Sequence, residues 1–348
     1  MILIMKITIR DVARKAGVSP ATVSLVLNNR PGVGNDTRKT VEDAAEALNY
    51  RIPQTKSRTN ERQNGIIRFL KIARHGHILN RDHNVFISDY IEGIEAAARE
   101  EGYSLEVRNY ASFQPDEIID ELRTDAPAGA VILATELDAQ DILPFSAANI
   151  PMVFIDAVNP YANFDFVDMD NEGAVFSIVE AMKERGIRRI GLVSARLETR
   201  NFRQRAQSFY QAVDYFGLET KSEWDYRVDS TYDQSYRDMS AQLDSRKTLP
   251  QGLFCVCDII AFGCMKALKE KNIRIPEDIS LVGFDDLPSS QHTDPPLASI
   301  KVSKKRIGRR AFQLIRRRIE SEMPLPYEKV FIGSELMVRE SLEFSQKE

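Results

Sequence analysis

From Gly65 onward the chain repeats one pattern, a short apolar run followed by an amphipathic stretch at helical spacing. The runs are "IIRFLKI", "YSLEVRNY", "AVILAT", "MVFIDA", "RIGLVSA", "LFCVC" and "SLVGFDD", and most are separated by segments such as "DYIEGIEAAAREEG" and "AVFSIVEAMKERG". A strand that is apolar along its whole length is covered on both faces, and helices that alternate with strands supply that cover in parallel sheets. The pattern therefore predicts an α/β fold of doubly wound parallel sheets. About 280 residues of it exceed one such sheet of ordinary size, so two lobes are expected.

The first 50 residues have another texture. Ile9, Val12, Ala13 and Ala16 share one side of a helix over about Ile9 to Ala16. Gly17 permits the left-handed turn that ends it, Ser19 is a natural N-cap, and Pro20 suits the first position of a second helix running to about Leu27. That helix buries Val23, Val26 and Leu27, and a third, from about Asp36 to Asn49, turns Val41, Ala44, Ala45 and Leu48 inward. A linker composition follows in "RIPQTKSRTNERQ", where Ile52 is the one large aliphatic. The expected domains are a small all-α headpiece over 1–50, a hinge over 51–64 and a two-lobed core over 65–348. Its first lobe is expected at about 65–160 plus 295–325, and its second at about 161–294 plus 326–348.

Charge separates head from body. Residues 1–62 hold 11 Lys and Arg against 6 Asp and Glu, whereas the whole chain holds 47 against 51, so the remainder carries nine more acids than bases. A basic head on an acidic body points to a polyanion as the head's partner. No apolar run approaches the ~20 residues of a membrane span, and the apolar Met1 to Met5 is too short for a signal peptide. A cytoplasmic protein with no membrane partner is expected. Cys255, Cys257 and Cys264 lie close together in an apolar segment and read as buried free thiols.

A helix-turn-helix needs a small residue where its helices touch, a turn residue tolerating positive φ, and apolar positions pinning the second helix across the first. Ala13, Gly17, Val23 and Val26 fall at those places, leaving Pro20, Ala21, Thr22, Ser24, Leu25 and Asn28 to face a groove. Ser19, Thr22 and Ser24 can donate to phosphate, and the N-terminus of the second helix adds its dipole.

"TIRDVARKAGVSPATVSLVLNN", followed by "VGNDTRKTVEDAAEALNYRI", resembles the headpiece of the lactose and galactose repressor (LacI/GalR) family, and "RIPEDISLVGFDD...PPLASIKVS" resembles that family's C-terminal signature. The resemblance implies a helix-turn-helix headpiece, a hinge, a periplasmic-binding-protein-like core of two lobes, a homodimer, and transcription control by a small effector. It places contacts with double-stranded operator DNA on Thr8, Ser19, Pro20, Ala21, Thr22, Ser24, Leu25, Asn28 and Arg30, with Tyr50 beside the backbone. Leu25 stands where family members often carry Arg or His, so Ala21 and Leu25 are expected to touch thymine methyls instead. The hinge lacks the Leu that wedges into the minor groove in the family. Its Arg51, Lys56, Arg58 and Arg62 read either as contacts to phosphates or a narrow minor groove, or as a disordered, solvated linker.

In open α/β sheets, ligands bind beyond the carboxyl ends of strands. Asp156, Asp258 and Asp285 follow apolar runs there, Asp170 and Asn171 open a helix after "FVDM", Asn201 and Arg205 follow "IGLVSA", and Phe86 and Ser88 begin the first core helix. The resemblance implies that Phe86, Asp170, Asn201, Arg205, Phe254 and Asp285 line the effector pocket. An aromatic face with carboxylates, an amide and a guanidinium suits a sugar, whose hydroxyls both donate and accept. A nucleobase or other metabolite is the alternative, and Asp156, Asp170 and Asp258 read equally as helix N-caps.

The loop "ARHGHILNRDHN" carries His75, His77 and His83 and reads as a lid over ligand or dimer partner rather than a metal site. "RRAFQLIRRRIES" is a basic amphipathic helix, expected as a solvated face beside a lobe crossover or dimer contact rather than a second DNA surface. No Gly-rich phosphate loop, G-x-S-x-G elbow or H-E-x-x-H occurs. The expectation is a regulator and not an enzyme, with no cofactor and no metal.

Overall fold

The structure, a computed structural model, describes residues 8–27, 33–48, 50, 64–76, 81–245 and 248–343. Asn28, Arg30, residues 51–63 of the expected hinge and His77 lie outside them. The chain divides into one unit over Met1–Arg62 and another over Gln63–Glu348.

In the first unit, α1 (Ile9–Ala16), α2 (Pro20–Leu27) and α3 (Asn35–Ala47) enclose Val12, Ala13, Val23, Val26, Val41, Ala44 and Ala45. Gly17 ends α1 at φ 68°, donating its N–H to the Ala13 carbonyl. Ser19 opens α2 by accepting the Thr22 N–H at 3.1 Å. Turn chemistry and apolar spacing alone thus set the three helices.

The second unit holds two six-stranded sheets. Across the first run β2 (Tyr103–Tyr110), β1 (Gly65–Ile72), β3 (Gly129–Leu133), β4 (Met152–Ile155), β5 (Asp165–Met169) and β11 (Lys329–Ile332), all parallel. Across the second run β7 (Asp225–Val228), β6 (Ile190–Ala195), β8 (Gly252–Cys255), β9 (Ser280–Phe284), β10 (Ala298–Lys301) and β12 (Glu335–Met337), with β12 antiparallel to β10. Each sheet thus repeats a doubly wound order that switches direction beside its first strand, and carries one extra strand at the far edge. Helices α4 (Asn84–Glu100), α5 (Pro115–Asp125), α7 (Asn171–Glu184), α8 (Arg200–Phe216), α9 (Tyr232–Ser245), α10 (Asp258–Glu270) and α11 (Lys304–Glu320) cover them, with α6 (Ala139–Ile142) a single turn.

The lobes divide differently from the sequence expectation. β5 and β11 complete the first sheet, and β10 and β12 the second, so the chain crosses after β5, between β10 and α11, and between β11 and β12. Two carboxylates interrupt the apolar pattern of β5 and hide it as a strand. Asp165 is buried there because Arg318, far along the chain, pairs with it.

Helix α11 packs on α4 so closely that a Cβ at Gly93 would lie 2.1 Å from the Lys305 carbonyl oxygen, and one at Gly308 2.3 Å from that of Tyr90. Several of its cations form ion pairs within the first lobe. Lys305 meets Glu92 at 2.6 Å, Arg309 meets Glu100 at 2.8 Å, and Arg310 meets Glu328 at 3.1 Å.

Candidate functional site

The carboxyl ends of both sheets face each other across a cleft. From the first lobe come His83, Phe86, Ile87, Thr135 and Asp156, and from the second Thr199, Asn201, Phe202, Arg205 and Asp285. About 40 Å³ of free space remains between them.

Asp156 follows β4 in a left-handed conformation, φ 63°, which aims its carboxylate into the cleft. It accepts from the Thr135 hydroxyl, from Tyr90 at 3.1 Å and from the Asn201 amide at 2.9 Å. Burial raises its pKa against the pull of these donors. Beneath it, Asp168 of β5 accepts from the Met169 N–H at 2.8 Å, and its Oδ2 is buried without a hydrogen-bond partner. Burial and the Asp156 charge push Asp168 up to about 7.

Asp285 follows β9 at φ 114°, its N–H donating to the Ile300 carbonyl at 2.9 Å while its own carbonyl accepts from Lys304 at 2.7 Å. The carboxylate stands 3.6 Å from Arg205, yet burial lifts it to about 7. Non-glycine residues in this region of φ cost of order 1–3 kcal/mol and persist where surrounding structure holds them, which is typical of binding sites. Arg205 lies over the Phe284 ring, 3.6 Å from its centroid, and donates to Asn171 at 2.8 Å and to the Val256 carbonyl at 2.6 Å.

Five of the nine residues expected at the pocket therefore line the cleft: Phe86, Asp156, Asn201, Arg205 and Asp285. Four do not. Ser88 is exposed and donates back to the Asn84 carbonyl at 2.8 Å, as helical serines do. Asp170 caps α7, accepting the Gly173 N–H at 3.0 Å. Phe254 is fully buried in the second-lobe core, stacked on Phe209. Asp258 turns away from the cleft and anchors the loop after Asp285, accepting from the Leu287 N–H at 2.8 Å and from the Ser290 and Ser299 hydroxyls at 2.6 Å.

Sequence reasoning passed over Thr135, Thr199, Phe202 and Ile87. Thr135 ends an apolar run just as Asp156 does, so the strand-end rule would have found it. Of the histidine loop, His83 lines the cleft, and burial pushes its pKa down. The Glu136 carboxylate holds the loop's start by accepting the N–H groups of Arg74, His75 and Gly76, while Asp82 reaches the second lobe, accepting the Tyr232 N–H at 3.2 Å. Among the described residues, no group of three or more His, Cys, Asp or Glu is placed to hold a metal ion. Cys255, Cys257 and Cys264 are buried free thiols. No helix among the described residues is long and apolar enough to cross a membrane.

In the first unit, Ser19, Pro20 and Ala21 are exposed along the start of α2, and Leu25 is 37% exposed one turn on. Val23 and Val26 face the core, so Leu25 and Ala21 share the outer face with Ser24 and Thr22. The Thr8 hydroxyl donates to Asp11 at 2.7 Å, and Tyr50 packs against the headpiece core.

Residues 8–53 match the family model for bacterial regulatory proteins of the lacI family, and residues 179–342 match a periplasmic binding protein-like domain. An HTH-type transcriptional repressor PurR from Mannheimia succiniciproducens is 32% identical over 345 residues, covering 96% of this chain and 98% of that protein. PurR repressors from Haemophilus influenzae are 31% identical over the same length. Among solved structures, a complex of the transcriptional regulator CelR with cellobiose is 25% identical, covers 97% of this chain and all of that one, and superposes with a TM-score of 0.70. A lac repressor dimer bound to operator and the anti-inducer ONPF has the same fold at 22% identity, with a TM-score of 0.70 over 97% of this chain. The chain belongs to the lacI family of bacterial regulatory proteins and is a DNA-binding transcriptional regulator.

Proposed function

We propose that the protein is an operator-binding repressor whose DNA affinity is set by a sugar held between the two core lobes. Helix α2 enters the major groove, with Ser19, Thr22 and Ser24 on phosphates and Ala21 and Leu25 against thymine methyls. Asn28, Arg30, Thr8, Pro20 and Tyr50 extend that contact. A homodimer presents two headpieces to a near-palindromic site. Acting on such operators, it works in the cytoplasm.

The observation that carries the effector reading is the closure of the cleft by Asn201 of one lobe on Asp156 of the other, with Arg205 and Asp285 behind. These groups donate and accept in both directions, as sugar hydroxyls require. The cellobiose held by the similar CelR supports a saccharide. About 40 Å³ takes a few waters but no sugar ring, so a ligand has to part the lobes or withdraw side chains as it enters. That requirement is what couples occupancy to lobe angle, and lobe angle to headpiece spacing. Phe86 and Phe202 come from opposite lobes, which favours a flat nucleobase as the second reading. The cleft acts as a sensor, with no turnover of its ligand.

A thermal-shift screen of mono- and disaccharides and nucleobases on the full chain tests this. A ligand at 100 times its dissociation constant adds about 2.7 kcal/mol. A saccharide is expected to raise Tm in the native protein and to lose most of that effect in Asp285→Asn. A nucleobase response with no saccharide response would overturn the sugar, and ligand consumption would overturn the sensor.

A further inference from the structure

Beside the cleft, where the lobes meet, lies a second and roomier cavity of about 390 Å³. Its apolar wall includes Leu137 and Val158, but three arginines from both lobes reach it, Arg74 from the first and Arg200 and Arg203 from the second. Asp138 divides itself between two of them, standing 3.1 Å from Arg74 and 3.4 Å from Arg203. Asp141 is already committed, to Arg74 at 2.5 Å and to the Asp138 N–H at 2.8 Å. Arg200 is different. Its Nε is buried with no hydrogen-bond partner, and the carboxylate that acts on its charge, Asp168, makes no direct ion pair with it.

A buried guanidinium N–H without an acceptor is costly, and its planar fork matches phosphate and carboxylate groups. Arg200 and Arg203 also occupy the first turn of α8, where no acidic residue offsets the positive end of the helix. We infer that this cavity binds an anionic group, a phosphate or carboxylate, shared by Arg200 and Arg203 of the second lobe and Arg74 of the first. Asp138 is the competitor built into the site. Such an anion joins the lobes through contacts separate from those of the inner cleft, and so favours the closed arrangement whichever neutral ligand the cleft takes.

The test is a titration of the full chain with inorganic phosphate, read by Tm against sodium chloride of equal ionic strength. Phosphate raises Tm in the native protein, and the double variant Arg200→Gln/Arg203→Gln loses the response, its half-saturating concentration rising at least about tenfold, as expected for charge-assisted hydrogen bonds. Asp138→Asn, which releases Arg203 from its carboxylate partner and leaves Arg74 with Asp141 alone, lowers the half-saturating concentration several-fold. This last variant keeps the inference testable even if the double variant folds poorly. Glucose 6-phosphate serves as a second probe. Half-saturation at about the phosphate value marks a free anion as the ligand, and a value tenfold lower marks the charged group of a larger molecule, both with loss in the arginine variants. A native protein that ignores both probes, or a response unchanged by Arg200→Gln/Arg203→Gln and by Asp138→Asn, would overturn the site while leaving the sugar cleft untouched.

Discussion

The side-chain amide of Asn201, at the start of α8 in the second lobe, donates to the Asp156 carboxylate of the first lobe at 2.9 Å and to the Asp156 backbone carbonyl at 3.2 Å. This side chain is one of the ties between the two lobes, at the floor of the cleft. Hydrogen bonds to charged groups contribute roughly 1.5–3 kcal/mol, so Asn201→Ala removes that much from the closure of the ligand-free cleft and is expected to change ligand affinity by about tenfold or more. Calorimetric titration with the ligand found by thermal shift checks this. Unchanged affinity would remove Asn201 from the coupling.

Stability should depend on pH through the cleft. Asp168 and Asp285 are each lifted to about 7 by burial, so the folded state prefers them protonated. Their contribution is full below the ordinary carboxyl value near ~4 and is lost as pH rises through about 7. The native protein should therefore lose a few degrees of Tm between pH 5.5 and 8 through these groups, and Asp168→Asn should flatten that slope. An equally steep slope in the variant would contradict the assignment.

Groove contacts give a prediction on specificity. Leu25 is exposed on the outer face of α2 and carries no hydrogen-bonding group, so Leu25→Arg should shift the preferred operator towards guanine at one position per half-site. Selection of bound sequences from a random pool reads this directly. An unaltered preference would place Leu25 away from the bases.

Packing within the first lobe gives a prediction on stability. Gly93→Ala drives a Cβ into the Lys305 backbone and must push α4 from α11, whereas Gly333→Ala meets nothing within 4 Å. Overpacking of a tight core costs about 1–3 kcal/mol or more, so Gly93→Ala should lower Tm by several degrees and Gly333→Ala by little. Thermal denaturation of the two variants side by side decides it.

Much of this was legible in the sequence, for reasons that differ by residue. Gly17, Ser19 and Pro20 mark their helix boundaries by local chemistry, and Asp156 and Asp285 stand where apolar runs stop. Strand β5 was hidden because Asp165 and Asp168 interrupt its apolar pattern, and Arg318, which neutralises Asp165, is 153 residues away. Asp258 obeyed the strand-end rule but points beneath the Asp285 loop, since Ser290 and Ser299 offer it hydroxyls there. Phe254 lies on a strand buried on both faces, so it has no open side to offer a ligand. The crossovers that assign β10, β11 and β12 to their sheets depend on long-range pairing that short strands do not announce.

The most direct measurement is the affinity of the full chain for a selected operator duplex, followed by fluorescence anisotropy with and without saturating cleft ligand. The account predicts a change of at least about tenfold, a coupling of roughly 1.4 kcal/mol, which Asp285→Asn abolishes. Equal operator affinity with and without ligand, in a protein shown to hold both, would contradict it.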